Sequence, residues 1–536
     1  MKSVLRAVAC TALWLGGVHG VFPPTGQVPP MTLTEAEEAT LLDSAVTLVG
    51  NGTFEQPIDH AHPSKGSFST SYWFNATNWK GPGSPVIVFT PGEAPAAGYT
   101  GYLTERTLSG MIAAAVGGAV IMVEHRYWGS SSPCTNQTTT CLQHLTLEQS
   151  VNDFVNFAQN APLPFDTANT SSADQAPWIW VGGSYSGALA AWIEELSPGT
   201  FWAYHSTSGP VEVIYDYWQY FQPIQQGMPK NCSLDYEAIV DHIDTVFTKG
   251  TEEEKIALKA MFLLEDVAHD DDAAVAISSP IWAWQSIQFY SGYSSFYQMC
   301  DAIEGVIPNN TGNYTNYSAR GVGLNKALPN FAAWYRTEYI PGYCASYGYD
   351  DWSGDYNVQC WDSYNTSMQI FHDWSVDSPN GRTWVWMTCN EPLFYWQTGA
   401  PSNVPTVMTR LATPEYYDRQ CGLYFPREGR NTYGSNRGLT ADSVNRRTKG
   451  WYNTDLPRLL YVNGEADPWR SASVASEFRP GGPFNGTSET PAIIMEGARH
   501  CNDLLQKNSV HPSVAAAQAA AISQFEEWVG EYPAAA

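Results

Sequence analysis

The sequence predicts an α/β fold, a mostly parallel sheet covered by helices on both faces, with a large, mainly helical cap inserted into it. Strand patterns alternate with helical patterns over residues 42–211, and the alternation returns over residues 441–536. Residues 212–440 between them lose this alternation and carry most of the cysteines. We therefore expect one sheet built in two parts, with a disulfide-stapled cap between the parts.

The first residues have the features of a secretory signal. Lys2 and Arg6 precede an apolar stretch that ends at Gly20, which predicts a signal peptide over residues 1–20. Residues 21–41 are rich in Pro and Thr and predict a flexible leader or a removable propeptide. No other segment approaches the roughly 20 apolar residues of a membrane span. We expect a secreted protein without membrane insertion, with a vacuolar or lysosomal compartment as the alternative.

Composition excludes several partners and cofactors. The 536 residues carry 27 basic and 53 acidic side chains, a net charge of −26, which argues against nucleic acid or an anionic membrane as a partner. An acidic surface loses charge as the pH falls toward the ordinary carboxyl pKa of about 4, which suits an acidic environment. The sequence has no C-x-x-C, H-E-x-x-H or P-loop motif, so we expect neither a metal nor another cofactor.

Sequons and cysteines agree with secretion. A protein with a signal peptide and many N-x-S/T sites is expected to be glycosylated. The sites are Asn51, Asn75, Asn136, Asn169, Asn231, Asn309, Asn313, Asn316, Asn365 and Asn485. Without Cys10, which lies in the signal, the cysteines are odd in number, so at least one thiol stays free or pairs between chains. Cys134–Cys141 and Cys344–Cys360 are the expected local pairs.

The first part of the sheet is recognised from its apolar runs. Phe68–Asn75 alternates polar and aromatic residues like a half-exposed strand, whereas Ser84–Thr90 and Gly118–Arg126 have the continuous apolar pattern of buried strands. Helices are predicted over Thr104–Val116 and Leu145–Gln159.

A sharp turn at Ser184 joins the next strand and helix. The run Pro177–Trp180 leads into glycines on both sides of Ser184, and a helical pattern follows. A nucleophilic serine needs such a turn, exposed and close to the N-terminal end of a helix. The match to G-x-S-x-G is imperfect, because Ser186 stands where the second glycine belongs. Taken alone, the turn fits an ordinary loop equally well.

The cap has helical patterns over Tyr236–Phe247 and Glu252–Leu264, joined by long aromatic-rich segments. The acidic run Asp270–Asp272 predicts a solvated loop.

In the last part, each of two strand patterns ends in a residue that can complete a catalytic site. Asp467 follows the strand Pro457–Val462, and His500 follows the strand Pro491–Met495. Serine, aspartate and histidine in this order, at the carboxyl ends of parallel strands, are typical of the α/β-hydrolase fold. We predict Ser184 as nucleophile, His500 as its base and Asp467 as the carboxylate that orients the base.

Turn chemistry is the alternative for Asp467, which precedes Pro468. Asp455 and Asp503 are weaker substitutes for it. An Ala-rich helix, about Ser513–Val529, closes the chain.

Five motifs together resemble a family of serine peptidases. They are GGSYSG at Gly182–Gly187, EHRYWG at Glu124–Gly129, LTLEQ at Leu145–Gln149, GEADPW at Gly464–Trp469 and EGARH at Glu496–His500. In combination they resemble lysosomal Pro-X carboxypeptidase, dipeptidyl peptidase II and the secreted acid prolyl endopeptidases, over most of the mature chain. PGEA at Pro91–Ala94 departs from the N-E-G form of the lysosomal members, so the resemblance is nearest to the acid prolyl endopeptidases.

The resemblance implies a secreted serine peptidase that cleaves proline-containing peptides or proteins after proline, through an acyl-enzyme, at acidic pH. An ordinary histidine becomes protonated near pH about 6.5, so activity in acid requires a lowered pKa at His500. Backbone amides of Tyr185 and of the loop at Gly92 and Glu93 are expected to hold the oxyanion.

Candidate substrate-binding residues follow from the same reading. Trp469, Trp386 and Met387 are candidate walls of a slot for the proline ring, with core packing as the alternative for the last two. Glu391 and Glu93 are candidate acceptors for a peptide amino terminus. A carboxypeptidase or dipeptidyl peptidase of the same family, an esterase or lipase on the same fold, and a silent binding protein remain the alternatives. The oligomeric state is left open.

Overall fold

The computed structural model describes residues 27–34, 48–306, 319–376, 378 and 381–533. The predicted signal peptide lies outside these residues, as do the sequons at Asn309, Asn313 and Asn316 and much of the predicted leader. Of the other sequons, Asn75 and Asn231 are half-buried and the rest are exposed.

An eight-stranded sheet forms the centre of the protein, in the order β1-β2-β4-β3-β5-β6-β9-β10. Strand β2 pairs antiparallel with both β1 and β4, and every other neighbouring pair in this sheet, including β4 with β3, is parallel. This is the α/β-hydrolase fold that the sequence predicts. The strands of the described residues are β1 Val49–Pro57, β2 Ser67–Asn75, β3 Val86–Phe89, β4 Ala119–Val123, β5 Trp178–Gly183, β6 Ala203–Thr207, β7 Ile214–Asp216, β8 Phe394–Trp396, β9 Leu459–Gly464 and β10 Ala492–Met495.

Helices cover both faces of the sheet. Val86 and Val88 of β3 belong to one hydrophobic core, and Ile87 and Phe89 belong to the other. A strand buried on both faces needs the continuous apolar run that the sequence shows there. The helices of the described residues are α1 Leu108–Val116, α2 Leu147–Asn160, α3 Tyr185–Leu196, α4 Gln222–Gly227, α5 Lys230–Lys249, α6 Glu252–Met261, α7 Asp270–Ser278, α8 Ser295–Ile303, α9 Leu324–Trp334, α10 Gln369–His372, α11 Arg382–Asn390, α12 Pro414–Tyr424, α13 Ala441–Thr448 and α14 Pro512–Gly530.

The predicted cap lies between β6 and β9. It consists of helices α4 to α12 and a small parallel sheet of β7 and β8. Both expected local disulfides are confirmed, and two further pairs staple the cap. The pairs are Cys134–Cys141, Cys232–Cys300, Cys344–Cys360 and Cys389–Cys421. Among the cysteines of the described residues, Cys501 is the free thiol, and it is buried.

The prediction of a solvated loop at Asp270–Asp272 is wrong, because these residues form the first turn of α7. Carboxylates are stabilised at a helix N-terminus by the helix dipole. Asp272 is fully buried, and the hydroxyls of Ser363 and Tyr416 donate hydrogen bonds to it.

Two cap carboxyl groups have pKa values far above their ordinary range. Burial raises the pKa of Asp272 to about 7, and burial also raises the pKa of Glu304 to about 7, with a further contribution from the charge of Asp235. Because they resist ionisation only in the folded chain, they link stability to pH.

We therefore expect greater stability in mild acid than at pH 8. The contribution of these groups is fully present below the ordinary carboxyl pKa of about 4, where folded and unfolded chains both hold the protons, and is lost as the pH rises to the folded-state pKa of about 7. The Tm should fall by roughly 5 °C between pH 5 and pH 8, and Asp272→Asn should flatten that slope. Calorimetry across this range is the measurement, and a Tm that rises with pH would contradict the expectation.

A described stretch of the predicted leader is docked on the domain. Val28 is fully buried, the Tyr102 hydroxyl donates to the Pro29 carbonyl at 2.9 Å, and the Gly101 amide donates to the Met31 carbonyl at 2.8 Å. None of the described helices is both long and apolar enough to cross a membrane.

Candidate active site

Ser184 occupies a strained turn between β5 and α3. Its φ of 57° and ψ of −126° lie outside the regions that residues with a side chain favour, as in a nucleophile elbow. A Cβ atom on Gly182 would lie 2.0 Å from the Ser186 carbonyl oxygen, so this position requires glycine. Ser186 fits the second motif position because its hydroxyl donates to the Thr90 carbonyl at 2.8 Å. The imperfect motif therefore still forms the elbow.

Asp467 and His500 meet at the ends of the neighbouring parallel strands β9 and β10. The Nδ1 atom of His500 lies 3.0 Å from Oδ1 and 3.3 Å from Oδ2 of Asp467, and both side chains are buried. Asp467 also accepts a hydrogen bond from the Trp469 amide at 3.0 Å. The residue thus shapes its own turn and also holds the imidazole.

The two substitutes for Asp467 lie elsewhere. Asp503 is 3.2 Å from His205 and accepts a hydrogen bond from the Thr207 hydroxyl at 2.6 Å. Asp455 is exposed. Of these three carboxylates, it is Asp467 that accepts the close approach of His500 Nδ1, at 3.0 Å.

Strand β6 brings the serine turn and the histidine turn to the same end of the sheet. The Thr207 carbonyl accepts from the Ser184 amide at 3.0 Å, and the Ser208 hydroxyl accepts from the Cys501 amide at 2.9 Å. A Cβ atom on Gly183 would lie 3.0 Å from Cys501 Sγ. The residue before Ser184 and the residue after His500 are therefore neighbours.

The charge state of His500 differs from the one that acid activity requires. Burial lowers its pKa, but Cys501 and Asp467 raise it by more, and the net pKa lies well above the ordinary value. Burial raises the pKa of the Cys501 thiol, which therefore stays neutral, so we attribute the retained proton mainly to the Asp467 carboxylate. The lowered pKa that an acid optimum needs is not found at this residue.

The loop after β3 lies against the first turn of α3. The position of a Cβ atom on Gly92 is 2.7 Å from Ser186 Oγ. Tyr185 is the first residue of α3, and the first amides of a helix lack partners within the helix. The Gly92 amide, one of the three predicted oxyanion donors, instead donates to Thr90 Oγ1 at 3.2 Å. The amides of Tyr185 and Glu93 remain as candidate donors.

Trp469 lies beside the histidine in an aromatic cluster. Its ring centre is 6.2 Å from that of His500, and the rings of Tyr217, Tyr220 and Tyr395 lie 5.4 to 5.7 Å from it. Sequence reasoning missed the three tyrosines. Tyr217 and Tyr220 belong to one short helical segment of the cap and Tyr395 belongs to β8, and no spacing in the sequence connects them with Trp469.

Trp386 and Met387 are fully buried. The indole nitrogen of Trp386 donates to the Leu145 carbonyl at 3.0 Å, which agrees with the alternative of core packing. Trp384, two residues earlier on the same helix α11, instead packs edge-to-face on Tyr185, with ring centres 5.4 Å apart. Helix α11 thus presents a different tryptophan to the serine turn than the sequence analysis proposed.

The two candidate acceptors for an amino terminus differ in their surroundings. Glu391 forms an ion pair with Arg447 at 2.9 Å, whereas neither carboxyl oxygen of Glu93 has a hydrogen-bond partner in another described residue.

Within the part of the chain that is described, no group of three or more His, Cys, Asp or Glu side chains is arranged to hold a metal ion.

A sequence model of the family described as serine carboxypeptidase S28 matches residues 56–521. The chain belongs to the serine carboxypeptidase S28 family. It is a serine peptidase by that membership, as the peptidase resemblance of its motifs implied.

Curated S28-like relatives cover most of the chain. It is 47% identical to "Serine protease vicPa" of Bipolaris victoriae (strain FI3) over 90% of each chain. It is 30% identical to "Probable extracellular serine carboxypeptidase" of Arthroderma benhamiae (strain ATCC MYA-4681 / CBS 112371), over 96% of this chain and 72% of that protein. Among solved structures, a proline iminopeptidase from Mycobacterium smegmatis matches with a TM-score of 0.34 and 11% identity, over 90% of this chain and all of that one (100%).

Proposed function

We propose that this S28 peptidase is secreted and cleaves peptide bonds on the carboxyl side of proline, with Ser184, His500 and Asp467 as its catalytic triad. The observation that carries the proposal is the buried contact of 3.0 Å between His500 Nδ1 and Asp467 Oδ1, at the sheet end that holds the strained Ser184 turn. An oriented imidazole beside an elbow serine is the arrangement that acyl transfer requires.

The reaction follows from these positions. His500 Nε2 takes the proton of Ser184 Oγ, which attacks the carbonyl carbon after proline, and the amides of Tyr185 and Glu93 hold the resulting oxyanion. The imidazolium then gives its proton to the leaving amine as the peptide bond breaks. Water hydrolyses the acyl-enzyme with His500 again as base. Asp467 accepts a hydrogen bond from the Nδ1–H group of His500 throughout and fixes the tautomer.

The proline preference is supported by the aromatic cluster beside His500. Trp469 and the tyrosines around it form an apolar wall next to the proposed base. The Tyr217 and Tyr395 hydroxyls are held by the carbonyls of Pro468 and Pro210, at 3.1 and 2.6 Å, so the wall is fixed in place. A rigid, flat, apolar surface suits the ring of proline.

Secretion is supported by the disulfides, since such bonds persist in oxidising compartments. The name of the relative from Arthroderma benhamiae, which calls that protein extracellular, also supports secretion. An acidic working range is supported by the buried cap carboxyl groups, which favour the folded chain in acid, rather than by His500, whose raised pKa favours catalysis at higher pH.

Peptides with one internal proline test the proposal. We expect the wild type to cleave a peptide blocked at both ends directly after proline, and the Ser184→Ala variant to leave it intact, with mass spectrometry of the products at pH 4.5, 6 and 7.5 as the readout. Release of a terminal residue or dipeptide from an unblocked version alone would move the assignment to an exopeptidase. The S28 description and the carboxypeptidase name of one relative make the carboxypeptidase the second candidate. Hydrolysis of simple esters alone would indicate an esterase.

A further inference from the structure

Glu93 is a buried carboxyl group without a partner at the proposed active site. Glu93 is only 3% exposed, and neither of its carboxyl oxygens forms a hydrogen bond with another described residue. Glu391 and Asp272, also buried, are satisfied by Arg447 and by two hydroxyl groups respectively. Burying a polar group without a partner is unfavourable, so at a binding site such a group points to a hydrogen bond with the bound substrate.

The backbone of Glu93 is held at the serine turn. The preceding residue, Gly92, packs against Ser186, and the Thr90 carbonyl accepts the Ser186 hydroxyl at 2.8 Å. On its other side, the Gln27 side-chain amide donates to the Glu93 carbonyl at 3.2 Å. The loop is thus fixed between the docked leader and helix α3.

Three titratable groups from three elements interact with the Glu93 carboxyl: His500 after β10, Tyr185 of α3 and Tyr99 of the short helix Ala96–Leu103. Burial raises the pKa of Glu93 to about 8, against smaller opposing effects of its own backbone amide and of His500. Glu93 is therefore protonated in acid and at neutral pH. A protonated carboxyl group is a hydrogen-bond donor.

We propose that Glu93 is a protonated carboxyl that donates a hydrogen bond to a carbonyl or carboxylate oxygen of the bound peptide. The inference rests on the proposed function and names a further substrate-binding group of the same site. Two sources share this chemistry: the carbonyl oxygen of the scissile bond, and the terminal carboxylate of a peptide that ends close to it.

An ammonium group of the substrate is the less favourable partner. It would require ionised Glu93, and that negative charge would repel the oxyanion that forms beside the same loop. An ionised carboxyl would also compete for the Glu93 amide, which is one of the two remaining candidate oxyanion donors. The neutral acid avoids both conflicts.

The variants Glu93→Gln and Glu93→Ala separate a neutral donor from an anion. Glutamine keeps the size and a donor but does not titrate, whereas alanine removes the group. Reaction with a fluorophosphonate probe, whose phosphoryl oxygen takes the oxyanion position, provides a rate that does not depend on proline. The wild-type rate should fall above pH about 8, and the Glu93→Gln rate should match the wild type within about threefold below pH 7 and lack that fall. Glu93→Ala should react about 10²-fold more slowly than the wild type below pH 7.

Two results would overturn the proposal: a Glu93→Gln rate as low as that of Glu93→Ala, which would require the anion, or Glu93→Ala rates equal to those of the wild type with the probe and also with free-ended and amidated peptides. Circular dichroism and Tm confirm that each variant is folded. Peptides with free or amidated carboxyl ends identify the source: a Glu93→Ala loss confined to free ends indicates the terminal carboxylate, and a loss shared with the probe indicates the scissile carbonyl. If the probe labels Ser184→Ala as it labels the wild type, the assignment of the triad is wrong. If proline peptides resist cleavage while the probe results are as expected, only the proposed proline preference is wrong.

Discussion

Ser184→Ala is expected to lower kcat for proline-containing peptides by on the order of 10⁶-fold, because removing a triad nucleophile ends the acyl-enzyme pathway. The φ of 57° at this residue holds the hydroxyl on the elbow. Single-turnover kinetics with a blocked peptide and fluorophosphonate labelling measure the loss. The Tm should change little, since one oxygen atom is removed.

Ser186→Ala is the matched control, because Ser186 lies two residues away on the same turn. Its hydroxyl donates to the Thr90 carbonyl at 2.8 Å and is fully buried, so it supports the loop and is not placed to attack substrate. We expect this variant to keep covalent labelling and to lose about 1 kcal/mol of stability with its hydrogen bond. Labelling that persists in Ser184→Ala and disappears in Ser186→Ala would exchange the two roles.

The fold and the chemical groups could be predicted because their signals are local. The central strands are continuous apolar runs, and Asp467 and His500 lie in the loops that follow β9 and β10. Strand ends of a parallel sheet meet at one edge, so chain order alone places such residues together. The elbow was ambiguous in sequence because its second glycine position holds Ser186, and it became clear only from the contact of Ser186 with a distant strand.

The walls of the site could not be predicted, because they depend on which faces of cap segments turn inward. Trp384 and Trp386 are both tryptophans of α11, yet only the first is in ring contact with Tyr185. The prediction of a solvated loop at Asp270–Asp272 was wrong for a similar reason. In the sequence, Asp272 resembles a solvated residue, because the hydroxyl that donates to it belongs to Tyr416, far along the chain.

Asp467→Asn is expected to lower kcat by about 10⁴-fold, because an amide at this position favours the wrong tautomer of His500. The geometry adds a second, independent readout. The Asp467 carboxylate helps to raise the pKa of His500, so without it the residual activity should persist to lower pH than in the wild type. The pH profile of kcat/KM in both proteins measures this shift, and a profile displaced to higher pH would contradict the assignment.

Asp503→Asn is the control for this experiment, because Asp503 is a second buried aspartate close to a histidine. It lies 3.2 Å from His205 and accepts the Thr207 hydroxyl, both on β6 beneath the site. Its loss should lower the Tm while kcat stays within about threefold of the wild type, since the partner is structural. If Asp503→Asn instead abolished activity in a folded protein while Asp467→Asn did not, the orienting carboxylate would be Asp503. The two variants together therefore decide between Asp467 and its buried substitute Asp503.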